Sequence, residues 1–333
     1  VKRSQRRIMV LGLVLNFGIL AVLKYFNFLL ENVNIFLHGA GAEGEFVFVN
    51  WLLPLGISYY TFQSMGYLID VYYRKYEPEK NLARFALFVS FFPQLVAGPI
   101  SRFEQLKDSL YVNHRLQLRN IRLGAERMLW GYFKKLVIAD VFAATVNNVY
   151  DNAQSYVGLA FLVATLMFAI EIYCDFSGYS DIAIGCARLF GIELMTNFKS
   201  PYLSFSIREF WSRWHISLST WFRDYVYIPL GGNRTAKWRH CLNLLITFLV
   251  SGFWHGSSLT YILWGGIHGL LQIVETLLFP GKRHGVEVKR RRHWWQLPIT
   301  FALLCFTWIF FRANTIKDAL WVIYKLFWDI ERP

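Results

Sequence analysis

One histidine stands where an imidazole is costly to place, and a second lies at the apolar edge of an aromatic segment. His255 follows the uncharged apolar run Leu242 to Trp254, in Ser251-Gly252-Phe253-Trp254-His255-Gly256, and His215 lies in the aromatic, arginine-rich stretch Pro201 to Asn233. An imidazole surrounded by apolar groups stays neutral, with a nitrogen lone pair free to take a proton from an attacking hydroxyl. Gly252 and Gly256 permit close backbone approach and a bend, which would present the His255 ring at a helix end. The chemistry this suggests is base-assisted transfer of an acyl group to an alcohol. A buried histidine also serves simply to hydrogen-bond between helices, and position leaves both readings open. His268, among Gly265, Gly266 and Gly269, reads the structural way, as a polar bond across a tight helix contact.

Other ionisable groups inside apolar segments are Asp70, Asp140, Glu171, Asp175, Asp181 and Glu275, each of which must find a partner. Asp175 and Asp181 are six residues apart and do not share one face of a straight helix, so a carboxylate dyad would need a bend. Arg188, seven residues beyond Asp181, is the expected ion-pair partner. Asp175, Tyr179, Asp181 and Trp254 are carried forward as candidate donor- or substrate-binding residues.

Within Pro201 to Asn233 the residues sort onto two arcs of a helix. Phe210, Trp211, Trp214, Leu218, Trp221 and Phe222 share one; Arg208, Ser212, Ser219 and Arg223 share another, and His215 falls on the border. An interfacial or re-entrant helix is expected. Arg208, Arg213 and Arg223 suit phosphate or carboxylate groups, and Trp211, Trp214 and Trp221 could wall a site against water.

The elements that must position these residues are membrane helices. Of 333 residues, 55% are hydrophobic and 17% charged, too apolar for a soluble domain of this length. Segments 8–30, 46–69, 157–174 and 258–279 approach the roughly 20 apolar residues that cross a bilayer. Segments 85–100, 136–149 and 242–254 are shorter or interrupted, and suit partial or bent helices lining a cavity. The net charge of +13 is carried in short loops, so the positive-inside rule explains it better than nucleic acid does. Lys2, Arg3, Arg6 and Arg7 precede the first span, Arg74, Lys75, Lys80 and Arg84 follow the second, and 31–45 holds no Lys or Arg. The N-terminus is therefore expected in the cytoplasm, together with the basic loop Lys282, Arg283 and Lys289 to Arg292, which would also attract anionic headgroups or an anionic donor. Cys174, Cys186, Cys241 and Cys305 show no close spacing that would suggest a disulfide framework or a metal site. No cleavable signal peptide, soluble domain or fixed repeat is visible. One polytopic domain over 1–333, truncated at both ends, is the economical expectation.

No Walker A loop, dinucleotide fingerprint, HExxH or Gly-x-Ser-x-Gly elbow occurs. Instead the segments 56–70 (GISYYTFQSMGYLID), 91–102 (FFPQLVAGPISR), 173–185 (YCDFSGYSDIAIG), 208–232 (REFWSRWHISLSTWFRDYVYIPLGG) and 251–256 (SGFWHG) together resemble the membrane-bound O-acyltransferases. The resemblance is to the bacterial branch containing the alginate O-acetyltransferase membrane subunit and the D-alanyl transfer protein of teichoic acids, and it runs over nearly the whole chain. It implies an all-α polytopic fold, a ring of transmembrane and re-entrant helices around a central funnel. It also implies His255 as the catalytic histidine and His215 as the second polar site. No permanently bound cofactor or metal is implied; acetyl-CoA or another acyl thioester is the donor. Expected partners are membrane lipids and an extracytoplasmic acetyl-relay or polysaccharide-modifying protein, and the expected location is the bacterial inner membrane. D-alanyl transfer from a carrier protein is the alternative within the family. A transporter or a purely structural subunit are the alternatives outside it, the first disfavoured because two matched halves with broken helices are not visible.

Overall fold

A computed structural model describes residues 2–39, 46–49, 54–95, 98–279, 282–283, 286–287 and 292–330. Its helices are α1 (Lys2–Gly39), α2 (Ile57–Tyr72), α3 (Leu82–Val89), α4 (Phe92–Leu95), α5 (Phe103–Leu110), α6 (Leu118–Tyr132), α7 (Asp140–Asp151) and α8 (Gly158–Leu189). These are followed by α9 (Ile207–Arg213), α10 (Ile216–Phe222), α11 (Lys237–His255), α12 (Leu259–Leu278), α13 (Gln296–Arg312) and α14 (Ile316–Trp328). Two π-helical segments, Phe133–Ala139 and Arg223–Tyr227, interrupt the α-helical runs, and Lys282–Arg283 pairs with Val286–Glu287 as an antiparallel two-residue ladder. The chain divides into two compact units, Val1–Gly124 with Cys186–Leu194, and Ala125–Gly185 with Met195–Pro333.

Three helical stretches among the described residues are long and apolar enough to cross a membrane: Arg3–Gly39, Gly158–Leu189 and Leu259–Leu278. They contain the expected spans 8–30 and 157–174 and nearly all of 258–279. The span expected at 46–69 is different. Residues 46–49 are not helical, because the Asn34 side chain bonds both the N–H and the carbonyl of Phe46, and Asn27 does the same for Val49. These two amides answer the backbone from α1, so it needs no helix of its own there. Helix α2 starts only after Gly56, whose φ of 74° is left-handed and whose missing Cβ would collide with the Leu95 carbonyl oxygen.

Two of the three segments expected to be partial or bent are so. Segment 85–100 breaks between α3 and α4, and 136–149 passes through the first π-helical segment into α7. Segment 242–254 lies instead within the unbroken 19-residue α11. The single helix expected across 208–223 is two seven-residue helices, because His215 takes a left-handed backbone (φ 43°) that ends one and starts the next. The two arcs survive the break: Phe210, Trp211, Trp214, Leu218, Trp221 and Phe222 are buried, and Arg208, Ser212 and Arg223 are exposed. Of the basic loop expected at Lys282 to Arg292, residues 289–291 lie outside the described residues.

The distribution of polarity suits lipid. Leu11, Val14 and Leu15 on α1 and Leu270, Val274 and Leu277 on α12 are exposed, whereas Asn243, Thr247 and Ser251 of α11 and His268, Gln272 and Glu275 of α12 are buried. With hydrocarbon as solvent, apolar surface can face outward, while polar groups turn inward to find partners.

Helices α11 and α12 form a hairpin whose closeness depends on glycine. A Cβ on Gly265 would lie 2.3 Å from the Phe248 carbonyl oxygen, and one on Gly252 2.3 Å from the Tyr261 carbonyl oxygen. Backbone cannot yield as a side chain can. Gly266, one residue on, would meet only a Leu249 methyl at 3.5 Å. Gly265→Ala is therefore expected to destabilise the folded protein by about 1–3 kcal/mol, the usual cost of overpacking. Gly266→Ala should stay near wild type. Thermal unfolding of the two variants in detergent, followed by size-exclusion chromatography, compares them directly.

Candidate active site

His255 is the last residue of α11. Its half-buried ring meets Trp254, Trp264 and Phe311 edge-on, with centroids at 4.9, 5.0 and 5.5 Å. Gly256 follows because a Cβ there would come within 2.2 Å of the Tyr261 ring. The glycine thus admits the aromatic side chain that closes the turn into α12.

His215 occupies the corner between α9 and α10, neither of which is long enough to span a bilayer. It is fully buried rather than lying on the border of a helical face, and its ring meets Phe176 of α8 at 4.5 Å and Trp254 at 6.4 Å. Burial, and after it the proximity of His255, hold the His215 imidazole well below its ordinary range, so the ring is neutral. Its Nδ1 lies 3.3 Å from Asn197 Oδ1, and its Nε2 is buried without a hydrogen-bond partner among the described residues. Asn197, 18 positions earlier, was not singled out from sequence. It sits outside any helix, and no periodicity links it to His215.

His268 is fully buried, and its Nδ1 accepts a hydrogen bond from Trp211 Nε1 at 3.2 Å. Its ring lies between Trp211 and Trp264, which also touches His255. Trp214 packs on Phe210 and Trp308, and Trp221 is buried against Phe222 and Tyr225. Trp211, Trp214 and Trp254 are therefore part of the aromatic mass around the two candidate histidines.

The arginines are elsewhere. Arg208 bonds Thr276 Oγ1 at 2.9 Å, its backbone N–H meets Glu275, and Arg213 and Arg292 converge on Glu209 at 2.7 and 3.0 Å. Thr276, which Arg208 bonds, is twelve residues along α12 from Trp264, roughly 18 Å by helical rise from the ring that touches His255. Arg223 pairs with its neighbour Asp224 at 2.7 Å and takes no part in the cluster.

Asp175 and Asp181 are also separated by their partners. Consecutive lysines of the first π-helical segment take one each: Lys135 binds Asp175 and Asp140 at 2.6 and 2.7 Å, and Lys134 binds Asp181 at 2.5 Å together with Ser177. Asp181 is shared with Arg127 at 2.9 Å, so the ion pair expected with Arg188 is not the one that forms. The wider turn of the π-helix fits here because α6 and α8 cross at Gly131 and Gly178, where a Cβ on either would press on the other's carbonyl oxygen. Tyr179 lies beneath the Lys135 ammonium, 5.3 Å from ring centre to nitrogen. This cluster braces α8, which touches His215 through Phe176.

A cavity of about 400 Å3 is lined by Phe311 together with Phe168, Ser258, Tyr261, Arg312 and Asn314. Arg312 is held by Asn147 at 2.6 Å and Asp151 at 3.2 Å, and Asn314 by Asp151 at 3.1 Å. Arg312 and Asn314 lie just past the most apolar part of α13 and carried no signal in the sequence beyond their polarity.

Residues 79–315 match the membrane-bound O-acyltransferase family. The chain is 42% identical over 324 residues to the probable alginate O-acetylase AlgI of Pseudomonas aeruginosa, covering 97% of this chain and 60% of that protein. It is 35% identical to the peptidoglycan O-acetyltransferase of Helicobacter pylori, covering 95% and 63%, and 30% identical to the teichoic acid D-alanyltransferase of Streptococcus thermophilus, covering 81% and 70%. It thus spans about 60% of the length of the alginate relatives.

The two lysine–aspartate pairs should respond differently to loss of charge. Asp181→Asn leaves the Lys134 side chain, 7% exposed, without its carboxylate, which for a buried pair costs about 3–5 kcal/mol. Asp175→Asn leaves Lys135 still paired with Asp140, and the 40% exposed Asp175 is worth far less. Thermal melts of purified protein should show a large fall for the first and a small one for the second.

Proposed function

Because the chain belongs to the membrane-bound O-acyltransferase family, we propose that it moves an acetyl group from a thioester on the cytoplasmic side to a hydroxyl on the opposite side of the membrane, with His255 as general base. In this reading the acceptor's oxygen attacks the acyl carbon while its proton passes to His255. The carbon–sulfur bond then breaks, and His255 returns the proton to the departing thiolate. The observation that carries the reading is the place of His255. It ends α11 half-buried, collared by three aromatic rings, one of which, Phe311, is also a wall of the cavity.

The spacing of the charged and reactive groups supports a thioester with a long arm. Arg208, Arg213 and Arg292 lie toward the end of α12 that leads into the basic loop, and could meet phosphates there. The acyl group would reach His255 roughly 18 Å away by helical rise, a separation suited to a donor such as acetyl-CoA, whose phosphates and sulfur stand at opposite ends of a flexible chain. The cavity lined by Phe311 adjoins the start of α12, about 30 Å along the helix from its other end. It is the natural entry for the alcohol if the basic loops and the N-terminus are cytoplasmic, as the positive-inside rule has it. Its volume falls within the roughly 300–1,000 Å3 of small-ligand sites, and its mixture of rings and fixed polar groups suits a sugar.

Acetyl transfer is favoured over D-alanyl transfer because the chain is more similar to relatives named for O-acetylation than to the D-alanyltransferase. The acceptor is an exported polysaccharide, or an extracytoplasmic partner that relays the acetyl group to one; the protein resides in the bacterial inner membrane.

Mass spectrometry of the exported glycan from cells carrying wild type or His255→Ala tests the reading. Loss of general-base catalysis costs typically 100- to 10,000-fold, so acetylation should fall to background while the variant remains in the membrane at wild-type amounts. Unchanged acetylation would refute His255 as base, and alanyl esters in place of acetyl would select the other donor.

A further inference from the structure

The hydrogen positions around His215 follow from a single backbone donor. The Ser217 N–H meets the Asn197 side chain at 3.1 Å, and only the amide oxygen can accept it, so Oδ1 faces Ser217 and Nδ2 faces Ser180 Oγ at 3.3 Å. The same oxygen accepts Ser217 Oγ–H at 2.8 Å and lies 3.3 Å from His215 Nδ1. A carbonyl oxygen has no proton to give, so Nδ1 must carry the ring hydrogen. A neutral imidazole has one such hydrogen, which leaves Nε2 with a bare lone pair. That nitrogen is fully buried and has no partner among the described residues, a condition that ordinarily costs about 1–3 kcal/mol.

Asn197 also fixes the corner itself. Its backbone carbonyl accepts the Ile216 N–H at 2.9 Å, so one residue holds His215 and the two residues that follow it. The left-handed backbone at His215 costs a side-chain-bearing residue about 1–2 kcal/mol, and these bonds oppose its relaxation. Ser180 ties the assembly to α8, where Phe176 supports the ring from its edge.

We propose that Asn197 is a positioning residue that locks His215 in the Nδ1–H tautomer and thereby assigns it the role of hydrogen-bond acceptor in acyl transfer. Resting on the function proposed above, this decides between the two roles a second polar group could have. Neutral His215 has no N–H to offer a developing oxyanion through Nε2; it can only receive a hydrogen. That hydrogen comes from the acceptor's hydroxyl, which His215 would align for attack, or from the ring N–H of His255 as that residue takes on a proton. Trp254 neighbours both histidine rings, with centroids 6.4 Å from His215 and 4.9 Å from His255.

The tautomer can be read without any catalytic assay. The full-length protein, labelled with 15N-histidine and reconstituted in lipid, should show a His215 signal protonated at Nδ1 and bare at Nε2 by solid-state NMR, assigned by its loss in His215→Gln. Asn197→Leu should abolish that preference and reduce acetyl transfer from acetyl-CoA at least tenfold; Asn197→Asp, which keeps an acceptor, should retain Nδ1 protonation and more activity than the leucine variant. Perturbation of the Nε2 signal only when acceptor is added identifies the hydroxyl as its donor; a change on His255→Ala without acceptor identifies His255. An Nε2–H tautomer in wild type, or one unchanged by Asn197→Leu, overturns the lock whatever the rates. A His215→Gln protein that transfers at the wild-type rate overturns the role of the pair whatever the tautomer. Absence of acyl transfer by the wild type would instead count against the proposed function and leave the tautomer readout intact.

Discussion

A polar atom inside this chain has little water to turn to, and the architecture of the second unit follows from that requirement. Each buried donor or acceptor must be met by another protein atom or pay for its isolation. The Lys134–Asp181 pair, the Trp211–His268 bond and the Asn197–Ser217 contact answer it at three places. It goes unanswered at several buried side-chain atoms among the described residues, Gln94 Oε1, Asn243 Oδ1 and His268 Nε2 among them, and at Nε2 of His215, whose ring shares the neighbour Trp254 with the candidate catalytic histidine. A group left without a partner in so apolar a setting is well suited to meet one that arrives only with substrate.

Close helix contact is the second means by which the site is held. Without a hydrophobic drive between lipid-facing helices, packing has to come from surfaces that fit, and glycine lets backbones meet. Gly252 and Gly265 bring α11 and α12 together just below His255, and Gly131 and Gly178 bring α6 and α8 together between Asp175 and Asp181. The aromatic rings then fill what the glycines leave, with Trp264 touching both His255 and His268, and Phe311 touching His255 while lining the cavity. Rigid rings and fixed backbones suit a site that must keep water from a thioester while admitting an alcohol.

The proposed chemistry makes use of the length of α12. Thr276, bonded by Arg208, and Trp264, against His255, lie near its opposite ends, so in the proposed reading donor recognition and acyl transfer are spatially distinct tasks. Such a separation lets affinity for phosphates be adjusted without disturbing the reacting atoms.

The amino-acid sequence by itself determined the membrane class, most of the long helices, the burial of the aromatic arc in 208–223 and the position of His255 at a helix end. These are properties of composition, hydropathy and local glycine placement, which act within one element. Only the tertiary structure decided that residues 46–49 lie against α1 and not in a helix, that Asp175 and Asp181 take separate lysines, and that Arg208 bonds Thr276 while Arg213 and Arg292 share Glu209. It alone brought Asn197 to His215 and Arg312 to the cavity wall. Those outcomes pair residues tens to more than a hundred positions apart, and which polar group meets which is settled by how helices cross; periodicity along a single segment carries no information about its partner.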